Sequence, residues 1–449
     1  MGILSGMEWN YSLPPVSYNT GTHLDLATGV ARYGVDNKLY IDGGLNRGIN
    51  GVIGRAQTWK STTAGSWIAE MMCFYSDSEA LIQDNEESAQ RDPDRFFRYA
   101  LDFDLKNTRD IVFISGIYRC GDLLNRVREI CAKREKEKKH LIVPSPFRDP
   151  RDQTKNMMVW KPLVVVIDTL TNLKSKKSEK ILEEGIDDSG SNTVSMIEGK
   201  DKTHLISELR MLCEKYGLIV VCTAHVDTRI DMDPYNPAKK QLQFMRQNES
   251  IKGCGSSFHK LAIPMIETSG VAKLLNSTKS ENLYAYRHAA IGDITEVSML
   301  VQRNKSKSSG TIFTFVESQD DGLCPILSDY HAIRKAKYYG LVGNDQRHHI
   351  AFYPDKTITR NSIYEECSKS YEMRRALQLV SQYWFIQNYW NTARLPFDFS
   401  RTPEALYEEL SKSKYKMEDI LNSRGYWTYD KCDREYLSIF DVLELVNKK

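Results

Sequence analysis

The apolar positions of this chain follow two rhythms. Short unbroken apolar runs recur at Gly51-Val52-Ile53, Ile111-Val112-Phe113-Ile114, Leu163-Val164-Val165-Val166-Ile167 and Leu218-Ile219-Val220-Val221-Cys222. Their β-branched content predicts strands buried on both faces. Between them the spacing becomes helical: Ala64, Trp67, Ile68, Met71 and Met72, then Leu123, Leu124, Val127 and Ile130, then a helix over 204–215. Leu24, Leu26, Ala27 and Val30 predict an earlier helix, with Thr22 as its N-cap. Strands alternating with helices over 20–225 predict an α/β fold with a mainly parallel sheet covered on both faces.

The rest of the chain reads differently. Runs at 261–266, 296–302 and 311–316 have the look of antiparallel strands, and from about 330 the pattern turns helical, with Tyr383, Trp384 and Trp390. Residues 1–17 are short and extended around Pro14-Pro15. Residues 133–158 are charge-rich and carry Pro144, Pro146 and Pro150, which predicts a surface insertion; the run from Lys133 to Lys139 is a solvated helix end. Residues 174–203 and 226–257 are polar and predict long loops. Loops of that length inside a domain are usually functional or mobile. The predicted division is an N-terminal segment 1–17, a core 18–335 and a helical C-terminal region 336–449.

Composition narrows the picture modestly. The 449 residues are 41% hydrophobic and 27% charged, with a net charge of +2, so no global field draws the chain to nucleic acid. Any nucleic-acid contact would run through local basic loops. No apolar run approaches the ~20 residues of a membrane span, and no secretory leader is visible. Nine cysteines, with no Cys-x-x-Cys pair, read as reduced thiols of a cytoplasmic protein.

The chemistry centres on Gly54-Arg55-Ala56-Gln57-Thr58-Trp59-Lys60-Ser61-Thr62, set between an apolar run and a helical pattern. That is the context of a phosphate-binding P-loop, whose backbone N–H groups cradle phosphates at a helix N-terminus. Lys60 would reach the β- and γ-phosphates of ATP and Ser61 would bind Mg²⁺. Trp59 stands where the motif usually has its second glycine; the plain alternative is an ordinary turn with a surface lysine. Asp168 ends an apolar strand, the position from which a carboxylate holds the Mg²⁺ shell. Asp84, Glu86 and Glu87 compete for the role of general base toward the attacking water. His225 follows the strand 218–222 and could sense the γ-phosphate, or make one backbone hydrogen bond. Arg229, Lys239, Lys240 and Arg246, interleaved with Phe244, suit phosphate neutralisation and base stacking.

The order of these parts resembles the RecA family of ATP-dependent recombinases, most closely its phage UvsX-like branch. Asn19-Thr20-Gly21 with Leu24-Asp25-Leu26-Ala27 resembles the family's entry helix, and Gly43-Gly44-Leu45 with Gly48 resembles its turn before the P-loop. Val165-Val166-Ile167-Asp168-Thr169-Leu170 is similar to the family's strand ending in Asp, and the phage branch also carries an aromatic at the position of Trp59. The separation of Lys60 and Glu86 suits the phage branch's short strand ending Asp-x-Glu, so the resemblance implies Glu86 rather than Glu87 as the catalytic carboxylate. The resemblance places one DNA-binding loop around 185–199, with Met196 near its tip, and a second at 226–257. Arg303-Asn304-Lys305 resembles a motif that reaches the neighbouring subunit's ATP, which puts cationic roles on Arg303 and Lys305. Arg95 and Phe96 are the candidates for adenine contact.

The implied function is ATP-dependent strand exchange: a head-to-tail filament on single-stranded DNA that pairs it with double-stranded DNA, with or without a loading or single-strand-binding protein. Two alternatives stand beside it. One is a ring helicase on the same fold; the other is a DNA-binding scaffold with a degenerate P-loop, for which Trp59 is the main support.

Overall fold

The apolar runs assemble into one sheet. In the computed structural model, which describes residues 13–86, 94–99, 111–114, 117–183, 190–228, 240–305, 308–413 and 415–447, ten strands form the centre: β1 (Gly48–Gly54), β2 (Glu79–Asp84), β3 (Ile111–Ile114), β4 (Leu163–Asp168), β5 (Leu218–Thr228), β6 (Glu249–Ile251), β7 (Met265–Lys273), β8 (Ile294–Arg303), β9 (Ile312–Ser318) and β10 (Gly322–Leu323). The order is β10-β9-β8-β7-β1-β5-β4-β2-β3, with β6 attached to β5. β3, β2, β4, β5, β1 and β7 run parallel; β8, β9 and β10 continue antiparallel.

Side chains alternate between two cores, as a strand's period of two requires. Val164 and Val166 of β4 and Ile219 and Val221 of β5 enter one apolar cluster. Leu163, Val165, Ile167, Leu218, Val220 and Cys222 enter the other. Both faces therefore need covering, which explains why these runs are apolar throughout. The first face is covered by α1 (Lys60–Phe74), which buries Trp67, Ile68 and Met71. Beyond it lies the short α2 (Arg95–Tyr99). The second face is covered by α3 (Cys120–Lys136) and α4 (Gly190–Tyr216). Thr22 caps the helix His23–Thr28 by accepting from the Leu24 N–H. Gly44, at φ +104°, passes so close to the Tyr18 carbonyl that a Cβ would stand 2.2 Å from it. The Gly43-Gly44 turn is thus a close backbone crossing.

Several sequence expectations are corrected. Val30 is not on the first helix; it opens the strand Val30–Tyr33 and is 39% exposed. The 133–158 region is no loose insertion. It closes α3 and then forms a hairpin, Ile142–Arg148 with Asn156–Trp160. Its prolines fit because a two-stranded ribbon has outer edges that need no ladder N–H, and Phe147 packs 5.1 Å from Trp427. The predicted 174–203 loop is instead two helices, Lys176–Glu183 and the beginning of α4, around residues 184–189, which lie outside the described set. The strand expected at 218–222 runs on to Thr228, and the one at 261–266 begins only at Met265, after the short helix Phe258–Leu261.

α5 (Pro325–Lys335) closes the core segment, and helices dominate the C-terminal region beyond it, the longest being α6 (Tyr371–Tyr389). It is not purely helical: Leu341–Gly343, His348–Ile350 and Tyr353–Ile358 make a three-stranded sheet. Nor does it have a separate core, since Leu377, Val380, Tyr383, Trp427 and Phe440 share one cluster with Tyr18, Trp67 and Phe315. Residues 13–17 lie on their own chain: Ser17–Tyr18 pairs with Leu45–Asn46. Among the described residues no helix is long and apolar enough to cross a membrane, and no disulfide joins any of the nine cysteines.

Candidate functional site

In an open α/β sheet, the crevice beyond the carboxyl ends of the strands, where the chain switches direction, is the natural ligand position. Here the chain leaves β1 toward β2 and returns through β4 and β5 to β1, then continues on the other side with β7. Register carries specific residues to that edge. Asp168 pairs with Asp84, and His225 with Gly54.

The loop 55–59 follows β1. Gln57 and Trp59 take positive φ angles of 57° and 67°. The left-handed conformation at Trp59 accounts for the glycine usual there, since a side chain costs ~1–2 kcal/mol in that region. Trp59 packs its partly buried ring on the main apolar cluster, and its carbonyl accepts from Thr63 Oγ1 at 2.8 Å. Lys60 opens α1, is 5% exposed, and donates from Nζ to the Arg55 carbonyl. Burial pulls its pKa down, while the Asp168 and Glu86 carboxylates hold it up.

Asp168 is nearly buried. Its Oδ1 accepts from Ser61 Oγ at 3.0 Å and from Thr223 Oγ1. Burial raises its pKa; the two hydroxyls oppose the rise, and Glu86 and Asp84 add to it. A cation beside this carboxylate would stabilise the charged form. Mg²⁺ at phosphate sites uses one or two protein oxygens plus phosphate and water, not a closed protein cage. Ser61 and Asp168 fit that role. Among the described residues no group of three or more His, Cys, Asp or Glu could hold a metal alone.

Glu86 lies two residues past β2, where its N–H donates to Asp84 Oδ1 at 3.1 Å. Its Oε1 is 3.3 Å from His225 Nε2 and 3.5 Å from Asn172 Nδ2. The His225 N–H donates to Thr171 Oγ1 at 3.2 Å, and the Lys252 N–H donates to the His225 carbonyl at 2.9 Å. A polar chain thus runs from Glu86 through His225 into the segment after residue 240. A second link leaves the loop itself: Arg55 bridges to Glu249 on β6 at 2.8 Å. Arg95 donates to Thr62 Oγ1 at 3.2 Å and to the Gln319 carbonyl at 3.1 Å, while Phe96 is buried beside Ser61 and Asp168. Both adenine candidates therefore flank the first turns of α1.

Lys60, Ser61, Thr62, Asp168, Glu86 and His225 meet at one edge, with Gly54, Arg55, Ala56, Gln57, Thr58 and Trp59 forming the loop beside them. Arg303 and Lys305 do not join them. Arg303 is level with Met265, and Met265 with Gly51, so β8 ends toward the opposite edge. Lys305 is displaced from the end of β1 by about five residues, or ~17 Å at the rise of a strand. A role in their own chain's pocket is excluded on distance. Arg303 is also engaged, donating to the carbonyls of His259, at 2.8 Å, and Lys260. Lys305 is exposed and shares its surroundings with Arg210, Arg47, Arg32 and Asp42; partial burial and the neighbouring guanidiniums lower its pKa. Arg210 Nη1 stands 3.4 Å from where a Gly48 Cβ would be, at the start of β1.

Of the expected DNA contacts, Met196 is 64% exposed on α4 rather than on a loop, and Phe244 is 38% exposed. Lys240 is exposed, and Arg246 projects near Glu249 at 3.9 Å. Arg229 and Lys239 lie outside the described residues. A shallow groove of about 560 Å³ joins the two regions, with Met196, Lys200 and His204 on one bank and Gly255 and Ser256 on the other. Sequence reasoning missed Thr223, Asn172, Arg210 and the Arg55–Glu249 bridge. Only Thr223 left a trace: a hydroxyl interrupting an apolar strand one residue past the partner of Ile167.

No protein-family model matches the chain, and no curated protein matches its sequence.

Proposed function

We propose that this protein is a DNA-dependent ATPase of recombinase type, which assembles head to tail on single-stranded DNA and exchanges strands with a duplex. The observation that carries this reading is the meeting of Lys60, Ser61, Asp168, Glu86 and His225 at the carboxyl ends of β1, β2, β4 and β5.

The side chains divide the work. Lys60 and the N–H groups of the loop neutralise and orient the phosphates of ATP. Ser61 and Asp168 hold Mg²⁺, which offsets phosphate charge. Glu86 aligns the attacking water and takes its proton, and His225 and Asn172 fix the carboxylate's direction. His225 and Arg55 pass the state of the phosphates to residues 240–257, which border the groove where a single strand would lie. Lys305, with Arg210 beside it, completes the neighbouring protomer's phosphate pocket; Arg303 supports the turn below. Such a heterologous contact propagates into an open helix.

The test is ATP turnover with and without single-stranded DNA. Wild type is expected to be stimulated by DNA, Lys60→Ala to lose turnover, and Glu86→Gln to lose at least ~100-fold while still binding ATP, the lower end of the general-base range. Turnover unchanged in Lys60→Ala would overturn the reading in favour of a DNA-binding scaffold.

A further inference from the structure

A second cavity, of about 490 Å³, opens between the C-terminal end of α1, the first turns of α5 and α6, and residues 424–434. It lies at the far end of α1 from Lys60, a helix of fifteen residues and so ~22 Å long.

Its wall is cationic. Arg374, Arg375, Arg424, Lys431 and Arg434 line it, against Asp329 and Asp433. Asp329 is already engaged by His23 at 3.0 Å. Arg375 is 2% exposed, yet its guanidinium meets only neutral oxygens: Ser423 Oγ at 3.4 Å, Gln378 Oε1 and the Leu437 carbonyl. Arg424 donates likewise to the carbonyls of Arg434, at 3.0 Å, and Tyr426. The Arg434 guanidinium stacks 3.7 Å from the Tyr371 ring centre. Among the described residues no carboxylate lies within ion-pairing distance of Arg375, Arg424, Lys431 or Arg434.

Neutral acceptors satisfy the hydrogens of a guanidinium but leave its charge, which the Asp441 and Asp329 carboxylates offset only from beyond ion-pairing distance, and a buried charge without a counter-charge in contact is costly. The first turns of α5 and α6, helices of eleven and nineteen residues, add partial positive charge on the same side. Gly425 keeps this arrangement open, since a Cβ there would stand 2.3 Å from Arg375 Nη1. An anion resolves the imbalance. Arginine's planar fork matches phosphate oxygens two at a time, and the volume falls in the ~300–1,000 Å³ range of small-molecule pockets.

We propose that this cavity is a second ligand site, taking a small phosphate-bearing molecule of mononucleotide size. It does not depend on the ATPase reading.

The experiment is titration calorimetry at low salt with ADP and with inorganic pyrophosphate, in a Lys60→Ala background that silences the first site. One saturable site is expected, weakened at least tenfold by Arg434→Ala and by Lys431→Glu. Both residues are exposed, so neither substitution threatens the fold. Binding of neither probe, or binding that both substitutions leave unchanged, would overturn the proposal.

Discussion

The two ends of β1 are chemically opposite. At its carboxyl end a single ammonium, Lys60, faces the carboxylates of Asp168 and Glu86. At its amino end Arg32, Arg47, Arg210 and Asp42 gather around Lys305, and Asp42 is paired with Arg32 at 3.0 Å. On the proposed reading one end would seat a triphosphate, with Glu86 beside the loop to direct water. The other gathers four cations against fewer carboxylates, Asp42 beside Arg32 and Lys305 and Glu214 toward Arg47. A strand of seven residues keeps them apart within one chain, so on the proposed reading the two ends would complement each other across an interface between copies.

The sharpest way to break the comparison is to remove the cationic end alone. Lys305→Ala and Arg210→Ala are each expected to lower DNA-stimulated ATP turnover at least tenfold, about the worth of one charge-assisted contact at a transition state. Nucleotide affinity of the unassembled protein should stay within about threefold, because these residues sit ~17 Å from its own loop. A parallel loss of affinity in the monomer would mean that the two ends communicate within the chain.

Next in size is a pH effect confined to the nucleotide end. Glu317 is fully buried and accepts from Thr63 Oγ1 at 2.5 Å, directly beneath the loop. Burial pushes its pKa from 4.5 to about 8. The unfolded chain therefore ionises first as pH rises, and the stability gained from neutral Glu317 is full below pH 4.5 and lost by about pH 8. Glu317→Gln is expected to flatten that slope, raising stability at pH 8 by a few kcal/mol and little at pH 5. Urea unfolding at the two pH values reads it. Equal gains at both would place the strain elsewhere.

The smallest effect is expected at Trp59. Trp59→Gly relieves a left-handed side-chain position worth ~1–2 kcal/mol but gives up apolar packing and adds unfolded-state entropy. Net stability should move by less than ~1 kcal/mol and turnover by less than about threefold. A large loss of turnover would show that the ring itself shapes the nucleotide end.

The sequence made the two ends unequally legible. Unbroken β-branched runs such as Leu163–Asp168 report burial on both faces, so the parallel sheet could be read from them. A loop between an apolar run and a helical pattern likewise locates Lys60 and Ser61. The cationic end had no such pattern. Arg32, Arg47, Arg210 and Lys305 come from four separate elements, and only the folded sheet makes them neighbours. Ser191, Asn192 and Thr193 favour turns by local propensity, which hides the N-terminal side of α4; packing against α3 decides instead. Prolines hide the hairpin at 142–160, whose Pro146 carbonyl still accepts from the Val35 N–H, and brevity hides the strands at 341–358.

The most direct measurement is a mixing experiment. Lys60→Ala lacks a working nucleotide end and Lys305→Ala lacks a working cationic end. Each alone should be nearly inactive. Mixed in equal amounts on single-stranded DNA, random head-to-tail order makes ~one interface in four wild type on both sides. The account predicts that turnover recovers to about a quarter of the wild-type rate. A mixture no more active than the mean of its two components would contradict it.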